Sequence, residues 1–477
     1  MRQDFAHPGL NALARRIHDD LEAIAHPRAS WLTPRRAPQG GHAYDVVIVG
    51  AGQSGLVTAF ALLRSQVSNV LVLDKAPRDR EGPWRTYARM HTLRSPKDFT
   101  GPDLDIPSLT YQAYHEARFG REAWQQLDLI PKDLWADYLL WYRDVLGLPV
   151  ENERAVVDIQ PDGDLLRLGV ARADGARDTV FARKVVLATG QEGLGDWALP
   201  EPLCGLPAHL RAVTSDPIDF AKLTGKTVAV VGAGASAFDN AATALEAGAA
   251  KVLLLCRRAE PQVIQPYRWL TFRGFLRHLC DLDDAWRWRF MQKILDLREG
   301  FPQATFDRCA RHANFELVRN AQLRGAWESD GRVHLETTAG RIVADFVIAA
   351  TGIEMDFSVR PELARFAGNI ATWGDRYTPP PEERDDRLAR FPYLADDYAL
   401  TERVAGQTPW LLNIHLFSIA STMSFGPSGS SINAMTTAVP KLVYGLTRGL
   451  FREDAESHWQ ALQAYDVPQA IVPRAPG

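Results

Sequence analysis

Short uninterrupted apolar runs, rather than alternating ones, set the frame of this chain. Tyr44–Val49 reads YDVVIV and Asn69–Asp74 reads NVLVLD. Runs of that length, dense in Val, Ile and Leu, predict parallel strands buried on both faces. Leu56–Ser65 between them keeps apolar residues at helical spacing without a breaker, so the segment predicts strand, turn, helix, strand. The same succession returns at Lys226–Val231 (KTVAVV), a helix running to Ala247, and Lys251–Cys256 (KVLLLC). Two more apolar runs, Val185–Gly190 (VVLATG) and Phe346–Gly352 (FVIAATG), end alike and predict a closing strand for each unit. The pattern is a duplicated architecture, not a repeat array. Helices are further predicted over Leu10–Ala25, Lys132–Leu146, a tryptophan-rich stretch Trp269–Arg298, and Ile432–Leu446 after a polar, glycine-rich loop Ser421–Ser431. Pro27, Pro34 and Pro38 break regular structure before the first strand, and Arg376–Arg390, rich in proline and charge, is predicted to cross back between units.

Glycine turns stand where the first strand of each unit ends. In Gly50-Ala51-Gly52-Gln53-Ser54-Gly55 the first glycine suits a sharp turn, the second lets a pyrophosphate approach the backbone, and the third brings helix and sheet together. The following helix presents free N–H groups to phosphates. Asp74, with Lys75 after it, ends the next strand 24 positions beyond Gly50, where a carboxylate meets ribose hydroxyls. The second turn, Gly232-Ala233-Gly234-Ala235-Ser236-Ala237, closes on alanine, and Arg257 and Arg258 occupy the place of the acid. Guanidinium groups there pair with a 2′-phosphate, which favours NADPH over NADH. FAD is therefore expected at the first turn and a nicotinamide at the second, with Gly190 and Gly352 at the cofactor-facing strand ends. The expected fold class is α/β with two dinucleotide-binding, Rossmann-like domains. Residues 1–40 form an N-terminal extension, 41–200 the first part of an FAD domain, 201–375 a nicotinamide domain with a helical insertion, and 376–477 a return segment completing the FAD domain.

Composition narrows the chemistry. Apolar residues make up 46% and charged residues 23% of the 477, and 54 basic against 58 acidic side chains leave a net charge of −4. That balance gives no electrostatic footprint for nucleic acid or an anionic membrane, and a small molecule becomes the expected partner. No signal-type apolar segment or membrane-length run is present in the sequence, so a cytoplasmic protein is expected, with homo-oligomerisation left open. Cys204, Cys256, Cys280 and Cys309 contain no CxxC pair for dithiol exchange, and no HExxH-type spacing predicts a metal site. Dioxygen remains as electron acceptor. A monooxygenase must then shelter a C4a-(hydro)peroxyflavin in a dry pocket. Gly82–Lys97 and His415–Asn433 are its candidate walls: Trp84 against the flavin, Arg94 and Ser95 as catalytic candidates, and Ser428 and Ser430 toward the cofactor. Lys97, Gln265 and Asn433 are candidates for the substrate.

With two glycine fingerprints and two ATG runs, Ala188-Thr189-Gly190 and Ala350-Thr351-Gly352, residues 42–450 resemble the class B flavin monooxygenases. The stretch Leu93–Pro107 is similar to the family segment that supplies an asparagine near the reacting oxygen, but Arg94 or Ser95 stands in its place. Leu206–Phe220 likewise departs from the family's Phe and His pattern. The closer resemblance, carried by Arg94–Tyr111 (RSPKDFTGPDLDIPSLTY) and Ser424–Ser431 (SFGPSGSS), is to the branch containing bacterial FAD-dependent urate hydroxylases and aspartate N-monooxygenases. That resemblance implies FAD- and NAD(P)H-dependent oxygenation of a small anionic substrate. Urate to 5-hydroxyisourate is the first expectation and N-hydroxylation of an amino acid the second. A reading of another class is a flavin-bearing redox sensor or binding protein without turnover; the intact glycine set and Asp74 weigh against it.

Overall fold

The computed structural model describes residues 7–297, 299–429 and 431–472. Ala43–Val49 lies inside a seven-stranded sheet. It pairs in parallel with Val70–Leu73, which pairs with Val150–Glu151, and on its other side with Arg177–Leu187. The last of these is long enough to serve two further partners along its other edge. Its first half pairs antiparallel with Leu165–Arg172, itself paired to the edge strand Arg154–Asp162, while its final residues run parallel to Ile414–Leu416 from the return segment. The strand centres are sealed on both faces: Val46, Val47, Ile48, Val185, Val186 and Leu187 have no solvent exposure. That burial is why they read as continuous apolar runs.

The second unit is a five-stranded parallel sheet in the order Phe315–Val318, Lys251–Leu255, Thr227–Val231, Phe346–Ala349, Arg211–Val213. An antiparallel sheet of Leu323–Ser329, Arg332–Thr337 and Gly340–Ala344 packs against it. The chain crosses between the sheets just after each ATG run, and the two crossings pair with each other: Gly195–Trp197 runs antiparallel to Ile353–Met355. Thr351 Oγ1 also donates to the Ala198 carbonyl, at 2.5 Å. The sheet ends that carry the two ATG runs are thereby held to one short ribbon.

Outside the sheets, the helix Pro8–Ala23 buries Leu10, Leu13 and Ile17 in the core of the first unit. The helices Pro266–Trp269, Arg273–His278 and Asp284–Leu297 form a cluster with Trp373, Leu388, Met423 and Ala434, all from later in the chain. The last long helix begins at Met435, not Ile432, and continues to Glu453 with Pro440 inside it. Within the preceding loop Thr422–Phe425 forms one helical turn. Among the described residues no helix is long and apolar enough to cross a membrane.

Candidate functional site

The two glycine turns are built alike. Gly50 has φ +107° and Gly232 φ +128°, a backbone region that side chains rarely adopt. A Cβ on Gly50 would stand 2.4 Å from the Ala188 carbonyl oxygen, and one on Gly232 would stand 2.3 Å from that of Ala350. Each ATG run thus lies directly against the first glycine of its own turn. The second glycines differ in kind. Gly52 (φ −70°) and Gly234 (φ −86°) have backbones any residue adopts, and a Cβ on either would meet nothing within 4 Å. Protein packing supplies no reason for glycine at these two positions. Open space beside the N-terminus of a twelve-residue helix, Gln53–Arg64 in one case and Ala235–Glu246 in the other, is the cradle a pyrophosphate requires. The third position separates the modules: a Cβ on Gly55 would come 1.8 Å from the Gly50 carbonyl oxygen, whereas the second helix accommodates the fully buried methyl of Ala237.

Asp74 braces the first cradle. Its buried carboxylate accepts the Ala51 N–H at 2.7 Å and the Ala76 N–H at 2.8 Å. Burial raises its pKa against the pull of those two bonds. Lys75 is ion-paired with Glu192, just past the first ATG run. Trp84 lines a recess with Ala51, Gly52, Leu56, Asp79 and Glu81, and its indole N–H is buried without a partner among the described residues. An orphaned donor beside an open cradle fits a polar cofactor. Loops far apart in sequence close the site: Ser54 Oγ donates to the Gly429 carbonyl at 3.2 Å, and Ile419 N–H to the Gly190 carbonyl at 3.3 Å. The Ser428 and Ser421 hydroxyls lie 3.3 Å apart and buried. Ser430 lies outside the described residues.

At the second cradle Ser236 is exposed, and Arg257 and Arg258 stand exposed past the end of Lys251–Leu255. Neither guanidinium has a carboxylate partner among the described residues. They are available to an incoming phosphate. Gly352 follows the second ATG strand at the crossing ribbon, its carbonyl accepting the Ala198 N–H at 2.9 Å.

Other residues singled out from sequence are engaged elsewhere. Arg94 donates to Asp239 Oδ2 at 2.7 Å and pairs with Glu299 Oε2 at 3.1 Å. Burial opposes its charge, but Glu299 and Asp239 outweigh that and hold its pKa above the usual arginine value. Arg94 therefore brings no unbalanced charge to an anionic substrate. Ser95 beside it is half-buried. Lys97 is spent on backbone: its ammonium donates to the carbonyls of Trp124 (2.8 Å) and Leu127 at the end of the helix Arg121–Gln126, and lies 4.9 Å from the Trp124 ring centroid. That is a helix cap. Gln265 Oε1 caps its own helix by accepting the Tyr267 N–H, and Asn433 Oδ1 accepts from the Ser431 hydroxyl at 2.6 Å. Asp239, Glu299 and Arg308 are among the residues that meet the Arg94 segment. Among the described residues no cluster of three or more His, Cys, Asp or Glu side chains is arranged to hold a metal.

Comparison with known proteins accords with this geometry. A family model described as FAD-NAD(P)-binding matches residues 47–192. An FAD-dependent urate hydroxylase of Xanthomonas campestris pv. campestris is 41% identical over 465 residues, 97% of either chain. Among solved structures, the FAD-bound cadaverine monooxygenase of desferrioxamine biosynthesis from Erwinia amylovora superposes with a TM-score of 0.65 at 14% identity, covering 86% of this chain and 95% of that one. The ornithine hydroxylase of Pseudomonas aeruginosa gives 0.65 at 16%, covering 86% and 100%. At such identities these two show the shared fold alone. The likeness to the Xanthomonas protein instead extends over 97% of either chain, and the chain belongs to the FAD-dependent urate hydroxylase family of flavin monooxygenases.

Proposed function

We propose that this enzyme spends one NAD(P)H, one proton and one dioxygen to hydroxylate urate at C5, giving 5-hydroxyisourate, water and NAD(P)+. The observation that carries the reading is the 41% identity to an FAD-dependent urate hydroxylase, sustained over 97% of both chains. Bound FAD supplies hydride acceptance and oxygen activation. The chain's own residues do the holding. Gly52 leaves room for the FAD pyrophosphate, Asp74 fixes the turn and receives ribose hydroxyls, and Trp84 offers its unpartnered N–H to the cofactor. Gly234 repeats the cradle for the nicotinamide nucleotide. The 418–429 loop, tied to Ser54 and Gly190, walls the site against water.

The test is cofactor oxidation by the purified flavoprotein in air, with urate absorbance and hydrogen peroxide followed separately. Urate loss matching NAD(P)H loss is expected. Stimulation by aspartate with urate untouched would replace the substrate with an amino acid, and oxidation yielding only peroxide with both compounds would remove urate from the reading.

Arg257 and Arg258 are proposed to read the 2′-phosphate. The double variant Arg257→Ala/Arg258→Ala should raise KM for NADPH about tenfold or more, the loss of one or two charge-assisted contacts. KM for NADH should stay within about twofold. Equal changes for the two nucleotides would assign the pair to the protein surface.

A further inference from the structure

The segment Gly82–Lys97 carries Trp84 beside the first cradle, yet the second unit grips it at four points. The Arg89 guanidinium donates to the Asp216 carbonyl at 3.1 Å, and the Arg89 carbonyl accepts from Arg308 Nη1 at 3.2 Å. His91 Nε2 lies 3.6 Å from Glu246 Oε2. Arg94 is the fourth, shared between Asp239 and Glu299.

Asp239 is where these contacts converge. It lies five residues beyond Gly234 on Ala235–Glu246, the helix whose N-terminus forms the second cradle, and its side chain is 4% exposed. One oxygen takes Arg94 of the first unit, and the other accepts from Thr305 and Arg308, each at 3.3 Å. Arg308 in turn forks both Glu246 oxygens at 2.9 and 2.8 Å. The wall of the first cradle and the helix of the second are thus fastened through one buried carboxylate. Bonds to a charged, desolvated group are short, directional and costly to loosen.

We propose that Asp239 is a positioning residue for hydride transfer, holding the two cofactor cradles in register. The proposal rests on the reading that NAD(P)H reduces FAD here: two electrons and one proton leave the nicotinamide as hydride, and the flavin is reduced. Asp239 touches neither cofactor in this account. Its effect is on distance, and a displacement of about 1 Å between reacting groups costs on the order of a hundredfold in rate.

The experiment uses the FAD-loaded Asp239→Asn enzyme without substrate. Mixed anaerobically with NADPH, it should lose flavin colour at a limiting rate roughly tenfold or more below wild type. The apparent Kd for NADPH should stay within about threefold. By hydrogen–deuterium exchange of the same holoenzyme, residues 89–97 should exchange faster while strands 43–49 and 227–231 keep wild-type protection. Arg94→Lys, which keeps the charge but loses the fork between Asp239 and Glu299, should shift both readouts the same way by less. A wild-type limiting rate with unchanged exchange in 89–97 would overturn the proposal. So would a rate loss that merely follows lost FAD or weakened NADPH binding. Because no substrate is present, an error in the choice of urate cannot mimic either result. If wild-type flavin were not reduced by NADPH or NADH, the redox reading and the proposal would fall together.

Discussion

Gly52→Trp should yield a folded, colourless protein. The Gly52 backbone has φ −70° and a Cβ there meets no protein atom within 4 Å, so a side chain can leave the backbone at this position without a clash at Cβ. What the indole fills is the space at the head of the Gln53–Arg64 helix, the proposed seat of the FAD pyrophosphate. FAD affinity should fall by about three orders of magnitude, equivalent to ~4 kcal/mol. NAD(P)H-driven turnover should vanish with it. The measurement is the ratio of flavin to protein absorbance after purification, beside a melting curve compared with flavin-stripped wild type. Gly234→Trp is the matching control, since its surroundings are equally open. It should stay yellow and bind FAD at full stoichiometry, yet fail to be reduced by NAD(P)H. A colourless Gly234→Trp beside a yellow Gly52→Trp would exchange the two cofactor assignments. Gly55→Val serves a different purpose, because a Cβ 1.8 Å from the Gly50 carbonyl forces the helix off the sheet. That variant should lose both flavin and thermal stability.

The features legible in sequence share a physical cause: local rules governed them. Tyr44–Val49 and Lys251–Cys256 were readable because a strand buried on both faces must be apolar throughout, and the observed strands Ala43–Val49 and Lys251–Leu255 differ by a residue. The glycine turns were readable because positive φ at Gly50 and Gly232 and the close approach at Gly55 leave few alternatives to glycine. The antiparallel strands escaped notice for the opposite reason. Arg154–Asp162 is a half-exposed edge, carries Pro161, and mixes charge with Val156 and Ile159 on its inner face. Arg332–Thr337 buries Val333 and Leu335 but alternates over only six residues, too few to stand out from a loop. The site divided the same way. Asp74 follows from its distance along one βαβ unit, but Arg94 meets Asp239 across 145 positions and Glu299 across 205. No spacing rule reaches that far, so Arg94 looked like a free cation when it is a neutralised one. The engagement of Lys97 is equally remote, since the carbonyls that hold it belong to a helix end nearly thirty residues on.

Arg183→Met should be the most damaging substitution remote from the cofactors. The Arg183 guanidinium is 2% exposed and pairs with Asp45 (3.2 Å), Glu453 (3.0 Å) and Asp454 (3.0 Å), joining the sheet to the end of the last long helix. Asp454 also receives Arg35 at 2.9 Å and the Thr33 N–H at 3.1 Å, which fastens the N-terminal segment to the same point. Methionine fills much of the volume but leaves Asp45 and Asp454 buried with their main partner gone, a loss of about 3–5 kcal/mol. The melting temperature should fall by several degrees or more, roughly 5–10 °C. Acid should narrow the deficit, and the sign follows from Asp454. Burial pushes its pKa up, but the bonds from Arg183, Arg35 and Thr33 outweigh burial and hold it below the ordinary carboxylate value. A depressed folded pKa contributes stability above the unfolded value of about 3.9, lost as pH falls through the folded one. Without Arg183 that contribution shrinks, so wild type loses more from Asp454 protonation than the variant does as the pH falls below about 3.9. Melting curves at pH 7.5 and about pH 3 should therefore converge toward the acid side. Arg183→Met melting within about 2 °C of wild type at both pH values would show that the cluster, for all its burial, is held together by packing and not by charge.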